Sequence, residues 1–135
     1  MKTLIDVENF NLDLTFEPSF VSTLYRKTGL NNWVKVAGHL GNQLEFKQLK
    51  PDTLEVNCSA GLTQKALQRR ATIETGLWRG PYEERIESLP KSVQPQIQAL
   101  AEAYPGVRLP IVPLDFLYML TSVALSKRTG YSKFV

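Results

Sequence analysis

Side chains of alternating polarity in the first sixty residues constrain the fold more than any other feature of this sequence. Residues 10–16 (FNLDLTF), 43–47 (QLEFK) and 54–58 (LEVNC) alternate between apolar and polar positions. Successive side chains of a strand point to opposite faces of a sheet, so each stretch predicts a strand with one buried face. Residues 33–37 (WVKVA) are rich in β-forming residues and predict another strand. Residues 18–27 are compatible with either an irregular crossing segment or a further strand.

Short turns separate these predicted strands. Turn-forming residues cluster at 28–32 (TGLNN), 38–42 (GHLGN) and 50–52 (KPD). Parallel strands need long crossover connections, and these turns leave no room for one. The first sixty residues therefore predict an antiparallel meander.

Helical signals replace strand signals in the second half of the chain. Thr63 is a favourable N-cap for a helix that ends near Gly76, and a short helix is predicted between Pro81 and Pro90. Ser92 is the predicted N-cap of a third helix, whose apolar residues recur at helical spacing. These residues are Val93, Ile97, Leu100, Ala101 and Tyr104. Sheet followed by helices predicts the α+β class.

The last predicted helix is apolar on most of its circumference. It opens with Pro113 and Asp115, both favourable in a first turn. Its apolar residues include Phe116, Leu117, Leu120, Val123, Ala124 and Leu125. Burying six such side chains stabilises a protein by roughly 10 kcal/mol, so they need an enclosing surface. Three alternatives are open: the helix folds onto its own sheet, the chain self-associates, or the partner helices are absent from this sequence.

Composition restricts the compartment and the partners. The formal charge of +3 permits a polyanionic partner without requiring one. The single cysteine, Cys58, cannot form an internal disulfide, which predicts a reducing compartment, cytoplasmic or nuclear, rather than secretion. The apolar run 111–125 is interrupted by Pro113 and Asp115 and is shorter than a membrane span, so no membrane partner is expected.

Candidate catalytic residues are scarce in this sequence. His39 is the only histidine and lies in a predicted turn, and Cys58 lies on the apolar side of a predicted strand. The acidic residues Glu83, Glu84 and Glu87 are typical of a solvated helix face. No zinc-ligand, phosphate-loop or nucleophile motif occurs. We therefore predict no catalytic residue, no metal site and no cofactor in this chain.

The chain has a basic, hydrogen-bonding cluster after its last predicted helix. The cluster comprises Ser126, Lys127, Arg128, Thr129 and Tyr131. Cations at a helix C-terminus are stabilising in themselves, so one interpretation is structural. The alternative interpretation is a contact with the DNA backbone or with a stacked base.

An ordered series of short motifs resembles the N-terminal half of the helix-hairpin-helix DNA glycosylases, in the branch with 8-oxoguanine and alkyladenine glycosylases. Residues 105–109 (PGVRL) resemble the family's lead-in to its helical domain, and residues 113–116 (PLDF) resemble the helix start that follows. Residues 125–129 (LSKRT) resemble the end of that helix. Upstream, residues 10–15 resemble the family's first strand, and Tyr25-Arg26 with Trp33 resembles its aromatic–arginine pattern.

This resemblance implies a fold for each part of the chain and a function for the whole. It implies a TATA-binding-protein-like antiparallel sheet with helices over residues 1–80, and the first helices of an all-helical domain over residues 81–135. The chain would be the DNA-binding and support portion of a base-excision-repair glycosylase, with damaged double-stranded DNA as its partner. The hairpin, the Schiff-base lysine and the catalytic aspartate follow Val135 in family order. The chain would thus be catalytically incomplete, and the parent enzyme could have lyase activity.

The resemblance also assigns roles to individual residues. Ser126, Lys127, Arg128, Thr129 and Tyr131 would lie near DNA. Arg128 stands where the family has a glutamine or asparagine that fills the gap left by the flipped base. Ser22 takes the place of a glycine whose backbone reads oxidised guanine, and Thr23 follows it in this base-facing segment. The alternative function is a stand-alone interaction module that dimerises, or binds a protein, through its last helix.

Overall fold

A five-stranded antiparallel sheet forms the base of the molecule. The computed structural model describes residues 1–126. The strands are β1 (Lys2–Asp6), β2 (Tyr25–Gly29), β3 (Asn32–Lys35), β4 (Leu44–Lys50) and β5 (Thr53–Cys58), in the spatial order β1-β5-β4-β3-β2. All neighbouring pairs are antiparallel. The α+β class, with a sheet followed by helices, is confirmed.

The strand predicted over residues 10–16 is wrong, because Leu12–Phe16 is a short helix, α1. Asn11 caps it: its side chain accepts a hydrogen bond from the Leu14 backbone N–H at 2.9 Å. Leu12 and Phe16 are four residues apart, so they lie on one face of a helix as well as on one face of a strand. Both are fully buried there. The first strand is instead β1, which the sequence analysis did not identify.

The helical predictions hold with one correction. The helix α2 (Gln64–Glu74) is capped by Thr63, whose hydroxyl accepts from the Ala66 N–H at 3.3 Å. A 3₁₀ helix spans Tyr82–Ser88, as predicted between the two prolines. The helix α3 (Gln94–Ala103) begins after Val93 without a side-chain cap, so the capping role predicted for Ser92 is wrong. A 3₁₀ turn, Pro113–Asp115, leads into α4 (Phe116–Ser126).

The core lies against one face of the sheet. One row of paired residues crosses all five strands and points to this inner face. From β2 to β1 it consists of Lys27, Trp33, Phe46, Val56 and Thr3. The ring of Phe16 in α1 contacts those of Tyr25, Trp33 and Phe46 at centroid distances of 4.8, 5.5 and 6.0 Å. The outer face carries polar residues such as Arg26, Glu45, Lys47 and Asn57. Cys58 is buried, as its place on the apolar side of a predicted strand indicates, and Trp33 is buried as well.

The connector before α4 packs back onto the first part of the chain. The Asn11 N–H donates to the Gly106 carbonyl at 2.8 Å, and the Arg108 N–H donates to the Thr15 hydroxyl at 3.1 Å. Val112 joins the core cluster of the sheet. Contacts therefore cross from residues 81–126 to residues 1–80, while the domain boundary between them stays a prediction. Within residues 1–126, no helix has the length and apolarity that crossing a membrane requires.

Candidate nucleic-acid interface

Four charged side chains meet beneath α4 and form what we term the ion cluster: Lys35, Arg70, Glu74 and Asp115. The Lys35 Nζ donates to Asp115 Oδ2 at 2.6 Å and to the two Glu74 carboxylate oxygens at 3.2 and 3.3 Å. Arg70 pairs with Glu74, and its Nη2 lies 3.8 Å from Asp115 Oδ2. The Tyr25 hydroxyl also donates to Glu74. The cluster thus joins β2, β3, α2 and the start of α4.

The charges of the ion cluster balance within a buried site. Lys35 and Glu74 are 0% exposed, and two cations face two carboxylates. Removing one partner of such a set leaves a buried charge without compensation, which costs several kcal/mol of stability. The sequence places Arg70 on a basic flank with Lys65 and Arg69, but only those last two are exposed. Arg70 turns inward because Glu74 lies one helical turn away on the same face.

Asp115 links α4 to the turn after β3. Its Oδ1 accepts a hydrogen bond from the His39 backbone N–H at 2.6 Å. Burial acts to raise the pKa of Asp115, but the hydrogen bonds from Lys35 and His39 and the positive charges nearby outweigh it and hold the pKa below its ordinary value. Gly38 has φ +72°, and a Cβ on it would overlap the Asp115 carboxylate. The His39 side chain is exposed, so the turn contributes through its backbone.

The 3₁₀ turn Phe20–Thr23 lies beside α4, and we term it the 20–23 turn. The Tyr118 hydroxyl of α4 donates to the Thr23 carbonyl at 3.4 Å. Ser22 is buried and its hydroxyl donates to the Ser19 carbonyl at 2.7 Å, while the Thr23 hydroxyl donates to the Phe20 carbonyl at 2.8 Å. The structure therefore brings both residues of the predicted base-facing segment next to α4.

A cavity of about 470 Å³, which we term the edge cavity, opens between the 20–23 turn and the edge strand β2. Its lining consists of Glu17, Ser22, Thr23, Tyr25, Arg26, Lys27, Trp33 and Val36. Arg26 is exposed. The Lys27 Nζ lies 2.7 Å from Asp13 Oδ2, 2.5 Å from Glu17 Oε1 and 5.9 Å from the centre of the Trp33 ring. Aromatic rings, hydroxyl groups and cations therefore line one opening.

The ion pairs of Lys27 fix the position of its ammonium group. Its hydrogen bonds to Asp13 and Glu17 raise the pKa of Lys27 above its ordinary value. Burial acts to raise the pKa of Asp13, but the hydrogen bonds from Lys27, Trp33 and the Asn31 N–H outweigh it and lower that pKa. The Trp33 Nε1–H donates to Asp13 Oδ1 at 2.7 Å. Trp33 and Lys27 are thus held on one wall of the edge cavity by a shared carboxylate.

The basic cluster predicted to face DNA falls largely outside the described residues. Ser126 is the last residue of α4, and its hydroxyl donates to the Val123 carbonyl at 2.8 Å. Lys127, Arg128, Thr129 and Tyr131 lie beyond residue 126, so their predicted role stays a prediction. Within residues 1–126, no group of three or more His, Cys, Asp or Glu side chains is arranged to hold a metal ion.

The apolar side of α4 that points away from the sheet is exposed. Phe116, Leu117, Leu120 and Val123 form this surface, which we term the bare face, and Leu117 is 75% exposed. Met119 packs against the core on the opposite side of the helix, where Ser122 is buried. Exposed apolar patches of this kind are typical of surfaces that contact other proteins, membranes or ligands. The sequence predicted an apolar helix, and the structure shows which side is covered.

No protein-family model matches the sequence. A search of curated proteins also gives no match.

Proposed function

We propose that this chain is the DNA-binding and support portion of a base-excision-repair DNA glycosylase. The observation that carries the proposal is the adjacency of the 20–23 turn and α4 beside the edge cavity. In the motif order described above, these are the base-facing segment and the helix that leads into the basic cluster. Their contact joins two sequence regions that are 95 residues apart.

The chemistry of the edge cavity suits a base that has left the helical stack. Enzymes that act on a flipped base stack it against aromatic or apolar side chains and hold it by hydrogen bonds. The lining includes the aromatic residues Trp33 and Tyr25, each only 4% exposed, and the Ser22–Thr23 segment adds polar groups. Arg26 is exposed at the same opening and suits a phosphate contact, which positions a duplex without reading its sequence.

The bare face of α4 is the proposed docking surface for the helices that complete the enzyme. The ion cluster fixes the first turn of α4 to the sheet, so this face has a defined direction. In the parent enzyme, the catalytic lysine and aspartate would come from those further helices, and this chain would contribute none. The reaction of the parent is cleavage of the glycosidic bond, with attack by the lysine on the sugar in bifunctional members.

Fluorescence anisotropy with labelled duplexes tests DNA binding by the chain. One duplex carries a single 8-oxoguanine and the other is undamaged. We expect weak binding at about 50 mM salt that falls steeply toward about 200 mM, because phosphate contacts release counterions. The variant Arg26→Ala should weaken binding and reduce the salt slope by about one. We expect no base release by this chain alone in a glycosylase assay.

Arg69→Ala is the matched control, because Arg69 is an exposed arginine on α2 and does not line the edge cavity. It removes the same charge and should leave the salt slope unchanged. Equal effects of the two substitutions would show that net charge alone accounts for binding. Affinity no greater than that of a neutral protein at low salt would contradict the proposal.

A second candidate function is an interaction module that dimerises through the bare face. The exposure of Leu117 and Leu120 favours it, because two such faces would bury each other. Sedimentation velocity over a range of concentrations tests this function. We expect a dimer that the substitution Leu120→Asp converts to a monomer. A monomer at every concentration would rule out the interaction module.

A further inference from the structure

A second cavity shares only Glu17 with the edge cavity. It measures about 730 Å³ and lies between the end of α1, the 3₁₀ helix Tyr82–Ser88 and α3. We term it the α3 groove. The volume lies within the range of roughly 300–1,000 Å³ that is typical of small-molecule sites.

The stripe of apolar residues on α3 faces this groove instead of a closed core. Ile97, Leu100, Ala101 and Tyr104 line it at helical spacing, and α3 has no fully buried residue. Leu14 and Ile86 complete the apolar wall. The sequence pattern that predicted a buried helix face therefore corresponds to a concave surface open to solvent.

The few polar groups of the α3 groove favour a cation. The ionisable residues among its lining are Glu17, Glu83, Tyr82 and Tyr104, and no lysine, arginine or histidine is among them. Carboxylates attract a positive charge, and the faces of tyrosine rings attract it as well. An anionic ligand would meet only repulsion from these charged groups.

Glu83 presents an acceptor without a donor. Its Oε2 is buried and has no hydrogen-bond partner in the structure, whereas Glu17 is already paired with Lys27. Arg108 is a competing cation whose charge interacts with that of Glu83, but it lines a separate cavity and donates through Nη2 to the Glu8 carbonyl at 2.6 Å. A ligand in the open groove does not reach Oε2 where it is buried, so the expected contact is with the part of Glu83 that lines the groove.

We propose that the α3 groove binds a small amphipathic cation, with an aromatic or short alkyl body and an ammonium head. The apolar body contacts Leu100, Ile97 and the tyrosine rings, and the ammonium donates to Glu83. This inference goes beyond the proposed function and does not depend on it, because the groove shares only Glu17 with the edge cavity.

Titrations followed by two-dimensional amide NMR test the proposal with three isosteric probes. The probes are 2-phenylethylammonium, neutral 2-phenylethanol and anionic 3-phenylpropanoate. We expect saturable binding of the ammonium at millimolar concentrations or below, with shifts confined to residues around the groove. Glu83→Gln should raise its Kd about tenfold, since a hydrogen bond to a charged group contributes about 1.5–3 kcal/mol. Glu84→Gln, on the same 3₁₀ helix but outside the lining, should not change the Kd.

Filling the groove with a larger side chain provides an independent test, because it blocks the site without changing its charge. Ala101→Phe should abolish binding of the ammonium while the amide spectrum shows an intact fold. Tighter or equal binding of 3-phenylpropanoate, or of 2-phenylethanol, would overturn the proposal. So would a change of sedimentation coefficient on Ala101→Phe without ligand, because a second copy would then occupy the groove.

Discussion

The ion cluster and the bare face of α4 lie at the two sides of one helix and show opposite relations between polarity and burial. At the foot of α4, Lys35 and Glu74 are fully buried. On the bare face, Phe116 and Leu117 are 63% and 75% exposed. The buried charges are compensated within the chain, so they belong to the internal architecture. The exposed apolar groups have no cover within residues 1–126, and we propose that a further element binds there.

Buried charges and exposed apolar groups differ in how specific and how strong their contacts are. Buried ion pairs contribute little net stability, because desolvation offsets their attraction, yet they tolerate only one arrangement of partners. Apolar surfaces bind strongly but without direction. The ion cluster thus joins the start of α4 to the sheet, and the bare face is the surface through which we propose that α4 binds a further element.

The largest effect is expected from removing the central cation of the ion cluster. Lys35→Met leaves Glu74 and Asp115 with only Arg70 as a counter-charge, and it should lower the free energy of unfolding by about 3–5 kcal/mol. Urea denaturation measures this change. Lys47→Met, at an exposed position on β4, is the control and should change stability by less than about 0.5 kcal/mol. Equal effects would mean that the buried charges are not required.

Matched leucine truncations compare the covered and bare surfaces directly. Leu67→Ala removes a fully buried side chain from α2, and it should destabilise by about 2–5 kcal/mol because a cavity remains. Leu117→Ala removes an exposed one from α4 and should cost less than about 0.5 kcal/mol. The same denaturation experiment reports both. A loss of more than about 2 kcal/mol for Leu117→Ala would indicate that the bare face is covered in solution.

The turn that receives Asp115 should be sensitive to a single methyl group. Gly38→Ala places a Cβ against the Asp115 carboxylate at a positive φ, and it should destabilise by about 1–3 kcal/mol. Thermal unfolding measures the effect. Gly61→Ala is the control, because nothing lies within 4 Å of a Cβ at that position. A neutral Gly38→Ala would show that the carboxylate moves freely, so the cluster would not fix α4.

The smallest expected effect is the dependence of stability on pH. The pKa of Asp115 is lowered in the folded state, so its contribution is complete above the ordinary value of about 3.9 and is lost as pH falls through the lowered pKa. Unfolding measured between about pH 5 and pH 2 should show this loss. Asp115→Asn should be less stable near neutral pH and should show a shallower decline on acidification. An identical slope in the two proteins would exclude this contribution.

Local sequence patterns predicted those elements whose stability is local. The strands β3, β4 and β5 follow from β-forming residues or alternation between short turns, and α2 follows from a threonine cap and a terminal glycine. The alternation in residues 10–16 predicts a strand, whereas the structure has the helix α1 there. Leu12 and Phe16 are four residues apart, a spacing that places them on one face in either a strand or a helix. The hydrogen bond to the Asn11 cap favours the helix. In that segment two periodicities fit the same residues, and packing selects one.

Residue patterns alone predict the α+β class and the apolar character of α4. Only the tertiary structure decided which charges are internal, because Lys35 meets Asp115 across 80 residues and Glu74 across 39. The same holds for the 20–23 turn, which is close to Arg26 in sequence but which α4 contacts from 95 residues away. Residue type sets how costly it is to bury a group, and long-range contacts set whether a partner is present to offset that cost.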